Sequence, residues 1–441
     1  MRIGLLLSCL LLGGCGSPEI LHSAEVEPLD AFRAKLAERL AQEQLSPGEA
    51  RDLAGVLLRR EIESTTGPQA ERGFAELAPC ASLLDDALAK RCQADDALGA
   101  RACLVRARAG GGTSRDLAEL VTSPEPTWRA VGARALTEPE PPRHAGAADP
   151  AGRVADWRRK LMADPTAEVR LEAVRASGVA HDWADAPILL EVARLDPAPD
   201  VRAEALAVVG RVATAEAVRT LRDRWERADD EERVHIVSAW ALAAEREPEA
   251  RRQLERVIEV ERGAAGVEAA LELLGKHTPA EAPPAAVVAA AMLERILGDG
   301  PTRVRVAALE RAPLDWPELR KAVVKARDDS DREVAAAAAA RLLEVKEERD
   351  KALKLLREIA PEIGPAGERA TRALVGARDH AALAVLDRNA RSLSPSERSA
   401  TVMAYGRLGE LDRALRMLGD ADARVRWAGA CAVLRSDRAE P

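Results

Sequence analysis

Apolar positions recur at helical spacing along most of this chain, and the polar residues between them recur in a fixed order. In the stretch DPAPDVRAEALAVVG, starting at Asp196, residues Val201, Ala205, Val208 and Val209 fall on one face of a helix. Asp196 and Pro197 stand where that helix begins: the carboxylate can accept free backbone N–H groups, and proline suits a first turn. Gly210 stands near its predicted end. A second amphipathic helix follows Thr214, with Val218, Leu221 and Trp225 on its apolar stripe. Neither helix can bury its apolar face alone, so neighbouring pairs must stack.

The phrase is repeated. DPTAEVRLEAVRASG starts at Asp164, 32 residues before its copy. The shared pattern is D-x4-V-R-x2-A. It recurs as Asp299, Val304, Arg305 and Ala308, and as Asp420, Val425 and Arg426 with Gly429 in the small position. Asp229 and Val234 keep it with His235 for the arginine, and Asp329 and Val334 keep it with Ala335 there. Ser123, Trp128, Arg129 and Gly132 fit more loosely, and Val267 is followed by Glu268. The gaps run from roughly 27 to 41 residues, a period that marks stacked helical repeats. The predicted fold is all-α, an αα-solenoid spanning 123–434 in about ten units.

These residues resemble HEAT repeats of the short bacterial type, a HEAT/armadillo-like superhelix. The resemblance implies a ladder of aspartates and arginines along the stack: Asp164 and Arg170, Asp196 and Arg202, Asp299 and Arg305, Asp420 and Arg426. His235, Glu268 and Ala335 break its continuity. The tetratricopeptide repeat is the alternative within this class, because AYGRLGELDRAL at 404–415 resembles half of one; the Val425-Arg426 that follows favours HEAT.

Before the repeats the pattern changes. Residues 28–108 read as a small helical cap, with Ser46-Pro47-Gly48-Glu49 as a capping-box start. ARAGGGTSRD, from Ala107, reads as a hinge, and TEPEPPRHAGAADPAG, from Thr137, as an insertion loop. The N-terminus, MRIGLLLSCLLLGGCGS, has a basic residue and a short apolar run, too short to span a bilayer and suited to a signal peptide over 1–14. Leu12-Gly13-Gly14-Cys15 resembles a bacterial lipobox. That resemblance implies a diacylglyceryl group on the Cys15 thiol, cleavage before Cys15 and acylation of the new amine, with 15–27 as a polar tether. An ordinary secretory signal is the alternative. The resemblance also implies a cell-envelope address, and Gly16-Ser17, which lack an aspartate after the cysteine, tilt it to the outer membrane.

Composition adds two constraints. Aromatic residues are only 2%, which disfavours a sandwich or barrel, and a net charge of −8 gives no electrostatic footprint for nucleic acid. In an oxidising compartment cysteines can pair. If residues 81–90 and 95–108 form an antiparallel helix pair turning near Cys92, then Cys80 and Cys103 meet at its open end. Cys431, on the order of 100 Å away along a stack, would stay an unpaired buried thiol unless the solenoid closes. All thiols reduced is the alternative.

Catalytic patterns are missing. Gly110-Gly111-Gly112 has no Walker lysine, the six histidines lie at no metal-ligating spacing, and no nucleophile elbow occurs. No cofactor and no metal are expected. Trp183 and Trp316, beside Asp and Pro in turns, are the candidate exposed contacts. The expected function is a non-catalytic scaffold or adaptor, held to the membrane by its N-terminal lipid and binding other envelope proteins. The alternatives are a HEAT-type lyase, a subunit of an envelope enzyme and a tetratricopeptide-like assembly factor.

Overall fold

Residues 19–113, 115–138, 150–212 and 214–436 are described in the computed structural model. The signal peptide, Cys15 and most of the insertion loop after Thr137 lie outside them. Every regular element among the described residues is an α-helix or a short 3₁₀ segment, so the protein is an all-α αα-solenoid. The chain divides into two units. One joins the chain up to Thr113 with the chain from Leu386 onward, and the other is Ser114–Val385. In this division the chain from Leu386 onward belongs with the N-terminal segment.

In the unit Ser114–Val385, helices alternate between two layers. The first layer includes Ala167–Ala180, Pro199–Val212, Asp230–Ala243 and Ala264–Leu274, each packed directly on the next. The second includes Ala186–Leu195, Ala215–Trp225, Pro248–Val260 and Pro284–Asp299, more loosely in touch. Small residues explain the tight layer. A Cβ on Gly210 would lie 2.5 Å from the Ala239 carbonyl oxygen, so the backbones of successive first helices meet where a side chain would stand. The buried face of Pro199–Val212 is Val201, Ala205, Leu206, Val208 and Val209, the stripe legible in the sequence. Thr214 caps Ala215–Trp225, its hydroxyl accepting from the Ala217 N–H at 3.1 Å.

In the other unit, helix Pro47–Ser64 opens on the capping box formed by Ser46 and Glu49. The stretch read as a polar tether is ordered from Glu19. Glu19–Val26 is a helix that buries Ile20 and Ala24 and packs on Pro47–Ser64. Arg60 clamps its end, donating to the Glu27 carbonyl at 2.7 Å. Ile20 and Ala24 stand four residues apart, enough for one apolar stripe among polar neighbours.

The C-terminal helix Ala423–Arg435 is apolar on nearly all sides and fills the centre of this unit. It packs on Pro395–Leu408, Pro47–Ser64, Pro68–Phe74 and the 3₁₀ segment Ala75–Leu83. Trp427 lies against Gly73, where an added Cβ would come within 2.6 Å of the indole, and edge-on to Phe74 at 5.1 Å between centroids. Two disulfides hold the unit, and neither is the expected Cys80–Cys103. Cys80 pairs with Cys431 across 351 residues, with Cα atoms 5.4 Å apart. Cys92 pairs with Cys103, Cα atoms 4.8 Å apart. The hairpin argument failed because the connection between Asp85–Cys92 and Ala97–Arg108 folds back on the second helix. A Cβ on Gly99 would lie 2.1 Å from the Ala94 carbonyl oxygen. Cys92 thereby reaches the middle of that helix, and Cys80 is left facing Ala423–Arg435.

A non-reducing peptide map of the folded protein will show Cys80 linked to Cys431 and Cys92 to Cys103. Cys431→Ala will lower the stability of this unit by about 2–5 kcal/mol, read as an earlier unfolding transition; no shift in melting would contradict the clasp.

Candidate interaction surface

Each repeat phrase places an arginine in the first turn of a first-layer helix, six residues beyond the aspartate. Arg170 folds back so that Nη1 donates to its own turn, to the Asp164 carbonyl at 2.8 Å and the Pro165 carbonyl at 3.1 Å. The other edge of the same guanidinium reaches forward to the next repeat. Nε and Nη2 donate to the two oxygens of Asp196 at 2.6 and 2.8 Å. Asp196 in turn accepts the Ala198 N–H at 2.8 Å, which fixes the following turn. Arg129 does the same one repeat earlier, holding the Ser123 and Pro124 carbonyls and gripping Asp164 at 2.7 and 3.0 Å.

The ladder thus joins the arginine of one repeat to the aspartate of the next. Arg398 grips Asp420 at 2.8 and 2.9 Å, and Arg305 reaches Asp329. Asp299 takes no rung: it ends helix Pro284–Asp299, and Arg305 donates to the Leu297 carbonyl instead. Arg202 makes only the backward half, to the Asp196 and Pro197 carbonyls. Where His235 replaces the arginine, Arg233 bonds Glu261 at 3.2 Å, and beside Ala335, Arg332 bonds Glu362 at 2.6 Å. Arg426 donates back to the Asp420 and Ala421 carbonyls and forward to Glu61, at 3.0 Å from Nε. Glu61 also accepts Trp427 Nε1 at 2.6 Å and pairs with Arg33 at 2.6 Å. Sequence reasoning missed Glu61. Its signal was a glutamate at core spacing beside Leu57, Leu58 and Ile62.

Burial alone would raise the Asp164 and Asp196 carboxyls. The arginine hydrogen bonds, the backbone N–H groups and the nearby positive charge outweigh it, so both are held below the ordinary aspartate value of 3.8. The ladder is structural, and its partners are consumed by the fold.

Trp183 differs from every other tryptophan in the chain. It is 73% exposed, on a turn between Ala167–Ala180 and Ala186–Leu195. The turn is rigid underneath. Arg158, fully buried, donates to Asp182 at 2.8 Å and Asp185 at 2.7 Å, the residues flanking the Trp183-Ala184 pair. Arg159 donates to Asp185 at 2.7 Å, and the Ser177 hydroxyl to Asp185 at 2.7 Å. Asp182 accepts the Ala184 N–H at 3.1 Å, and His181 takes φ +50° to enter the turn. Val179, also exposed, lies one helical turn before it. Helix Ala186–Leu195 then forms one wall of a groove of about 750 Å³ whose lining includes Leu190, Arg194, Leu206, Leu221, Arg224 and Arg227. Trp316, the other expected contact, is only 4% exposed. It occupies the N-cap of Pro317–Ala326, and its indole is covered by protein instead of projecting from the turn.

An exposed indole on a fixed turn can dock another polypeptide: the ring supplies contact area and has little rotamer freedom to lose. Among the described residues no group of three or more His, Cys, Asp or Glu side chains could hold a metal ion, and no helix is long and apolar enough to cross a membrane.

No family model matches the chain, and no curated protein matches it. Solved structures that match include a crystal structure of a mutant of Kap121p, 12% identical over 94% of this chain, with a TM-score of 0.30. This chain covers 50% of that one, so it spans about half its length. Another is an engineered protein, 18% identical over 92% of this chain and 98% of its own, with a TM-score of 0.24.

Arg170→Ala will leave the Asp196 carboxylate buried without its partner and destabilise the array by about 3–5 kcal/mol. Arg202→Ala, which removes only bonds to carbonyls, will cost about 1 kcal/mol. Equal losses in denaturant titrations would argue against the forward rung as the stronger half. Because Asp164, Asp196 and Asp329 titrate below their unfolded values, their contribution is fully present above the ordinary aspartate range. It will be lost as pH falls through the lowered folded values, so circular dichroism should show the wild type weakening below about pH 4.

Proposed function

We propose that this protein is a non-catalytic scaffold of the bacterial cell envelope. It is acylated at Cys15, held at the outer membrane, and binds another polypeptide through its helical repeats. The lipobox-like Leu12-Gly13-Gly14-Cys15 and the short apolar run before it support the address. Two or three acyl chains, at about 0.8 kcal/mol per buried CH₂, suffice for stable attachment. The observation that carries the binding role is Trp183, held out of the protein by the buried Arg158, Asp182 and Asp185 network. A solvent-facing indole costs free energy that a partner recovers on contact, and alanine scanning of interfaces finds tryptophan among the residues that dominate binding.

In-cell crosslinking with mass spectrometry on the wild type, Cys15→Ala and Trp183→Ala tests both parts. One or two envelope proteins should crosslink to the wild type. Trp183→Ala should lose them, by a factor of about thirty or more in affinity once the partner is in hand, while melting shifts by no more than about 0.5 kcal/mol in equivalent stability. Unchanged crosslinks in Trp183→Ala would remove this surface from the reading. Loss of the partner in Cys15→Ala, together with release from membranes, would tie the contact to the anchor.

A further inference from the structure

The N-terminal helix constrains where the lipid sits. Only Gly16, Ser17 and Pro18 separate Cys15 from Glu19, the first residue of a helix docked on its own unit. Four Cα-to-Cα steps span at most about 14 Å when fully extended. Helix Glu19–Val26 is not free to swing out and lengthen the tether. Ile20 and Ala24 are buried against Pro47–Ser64, Arg60 holds the Glu27 carbonyl, and the Ile20 N–H donates to Glu43 at 3.4 Å. The docked helix therefore sets the distance from lipid to protein.

Resting on the acylated Cys15 of the proposed function, we infer that the face carrying Glu19, Glu43 and Gln44 is a membrane-docking surface, lying on the phospholipid headgroup layer. The acyl chains place Cys15 at the headgroup boundary, and Glu19 must then lie within about 14 Å of it. Glu43 touches Ile20, and Gln44 follows it in an exposed turn, so both enter the same layer. The side chains there favour a zwitterionic surface. Glu19 is an exposed carboxylate and Glu43 is half-exposed, so an anionic leaflet would repel this face. The bilayer contact is imposed by the short anchor, with no apolar patch needed to create it.

The test uses the full chain, processed by its own signal, purified with its lipid and bound to phosphatidylcholine vesicles. A benzophenone-bearing residue replaces Gln44, and lipid adducts are counted after illumination. Strong lipid labelling is expected. A second form carries twenty Gly/Ser residues inserted between Pro18 and Glu19, which raises the mean reach to about 25 Å and more when extended; its labelling should fall severalfold while vesicle binding is kept. Acylated, vesicle-bound protein without adducts at position 44 would overturn the docking face and leave the anchor standing. Equal labelling with and without the insertion would overturn the tether argument. An N-terminal peptide lacking lipid by mass would remove the anchor itself, and this inference with it.

Discussion

A junction between repeats leaves backbone carbonyls at a turn and the start of a helix to be held in place, and at Arg129, Arg170 and Arg398 one guanidinium does both. Arg170 donates one edge to the carbonyls of its own turn and the other, bidentate, to the aspartate that fixes the next turn. The planar fork of arginine makes this possible; a lysine could satisfy one side or the other, not both in one geometry. The consequence is directional. Where the full rung forms, a side chain committed at both ends fixes how one first-layer helix meets the next; between Pro199–Val212 and Asp230–Ala243, where Arg202 makes only its backward half, Gly210 lets the two backbones close directly.

The same double grip recurs where helix Ala423–Arg435 meets the N-terminal segment. A stack of helix pairs exposes an apolar face at each end and needs capping there. Here Arg426 is a ladder arginine whose forward partner is Glu61 from helix Pro47–Ser64. Trp427 shares that carboxylate, and Cys431 completes the junction with Cys80. Glu61 meets two arginines and an indole, so this buried carboxylate has its hydrogen-bond partners supplied from both sides of the junction. The residues on either side of this junction lie more than 350 apart in sequence, so it is formed late in any folding order that begins with neighbouring repeats.

Helices and their starts were legible because Asp, Thr, Pro and Gly punctuate them by local chemistry: Thr214 caps its helix through its own hydroxyl, and Asp196 holds the turn that opens the next. The register of the ladder was not legible. The motif displays aspartate and arginine side by side in sequence, while the bond runs between residues 26 or 35 apart. Cys80–Cys431 escaped for a related reason: the distance argument assumed a stack with separate ends. The contrary signal was present in VRWAGACAVL, from Val425, which is apolar all around a helix and so must be buried on all sides. Trp316 was misplaced by the turn residues around it. Asp315 and Pro317 mark a turn correctly, but a side chain at an N-cap can fold beneath the helix it precedes.

Tryptophan does most of the aromatic work in a chain with two phenylalanines and one tyrosine. Trp128, Trp240, Trp316 and Trp427 are buried, and Trp157 and Trp225 are partly covered. Trp183 stands apart from all six, and the reason is the support beneath it. Were its turn mobile, the indole could fold down on Val179 or the start of Ala186–Leu195 and hide its surface. Asp182 and Asp185 are instead fixed by Arg158, Arg159 and Ser177 in a site without room to rearrange, since Arg158 and Asp185 are both fully buried. Burying three or four charges to hold one short turn is expensive unless each is paired, and here each is. The network stabilises a conformation in which an apolar side chain faces water, a choice that packing alone would not make. That conflict between local stability and exposed apolar surface is the ground on which Trp183 is proposed as a contact.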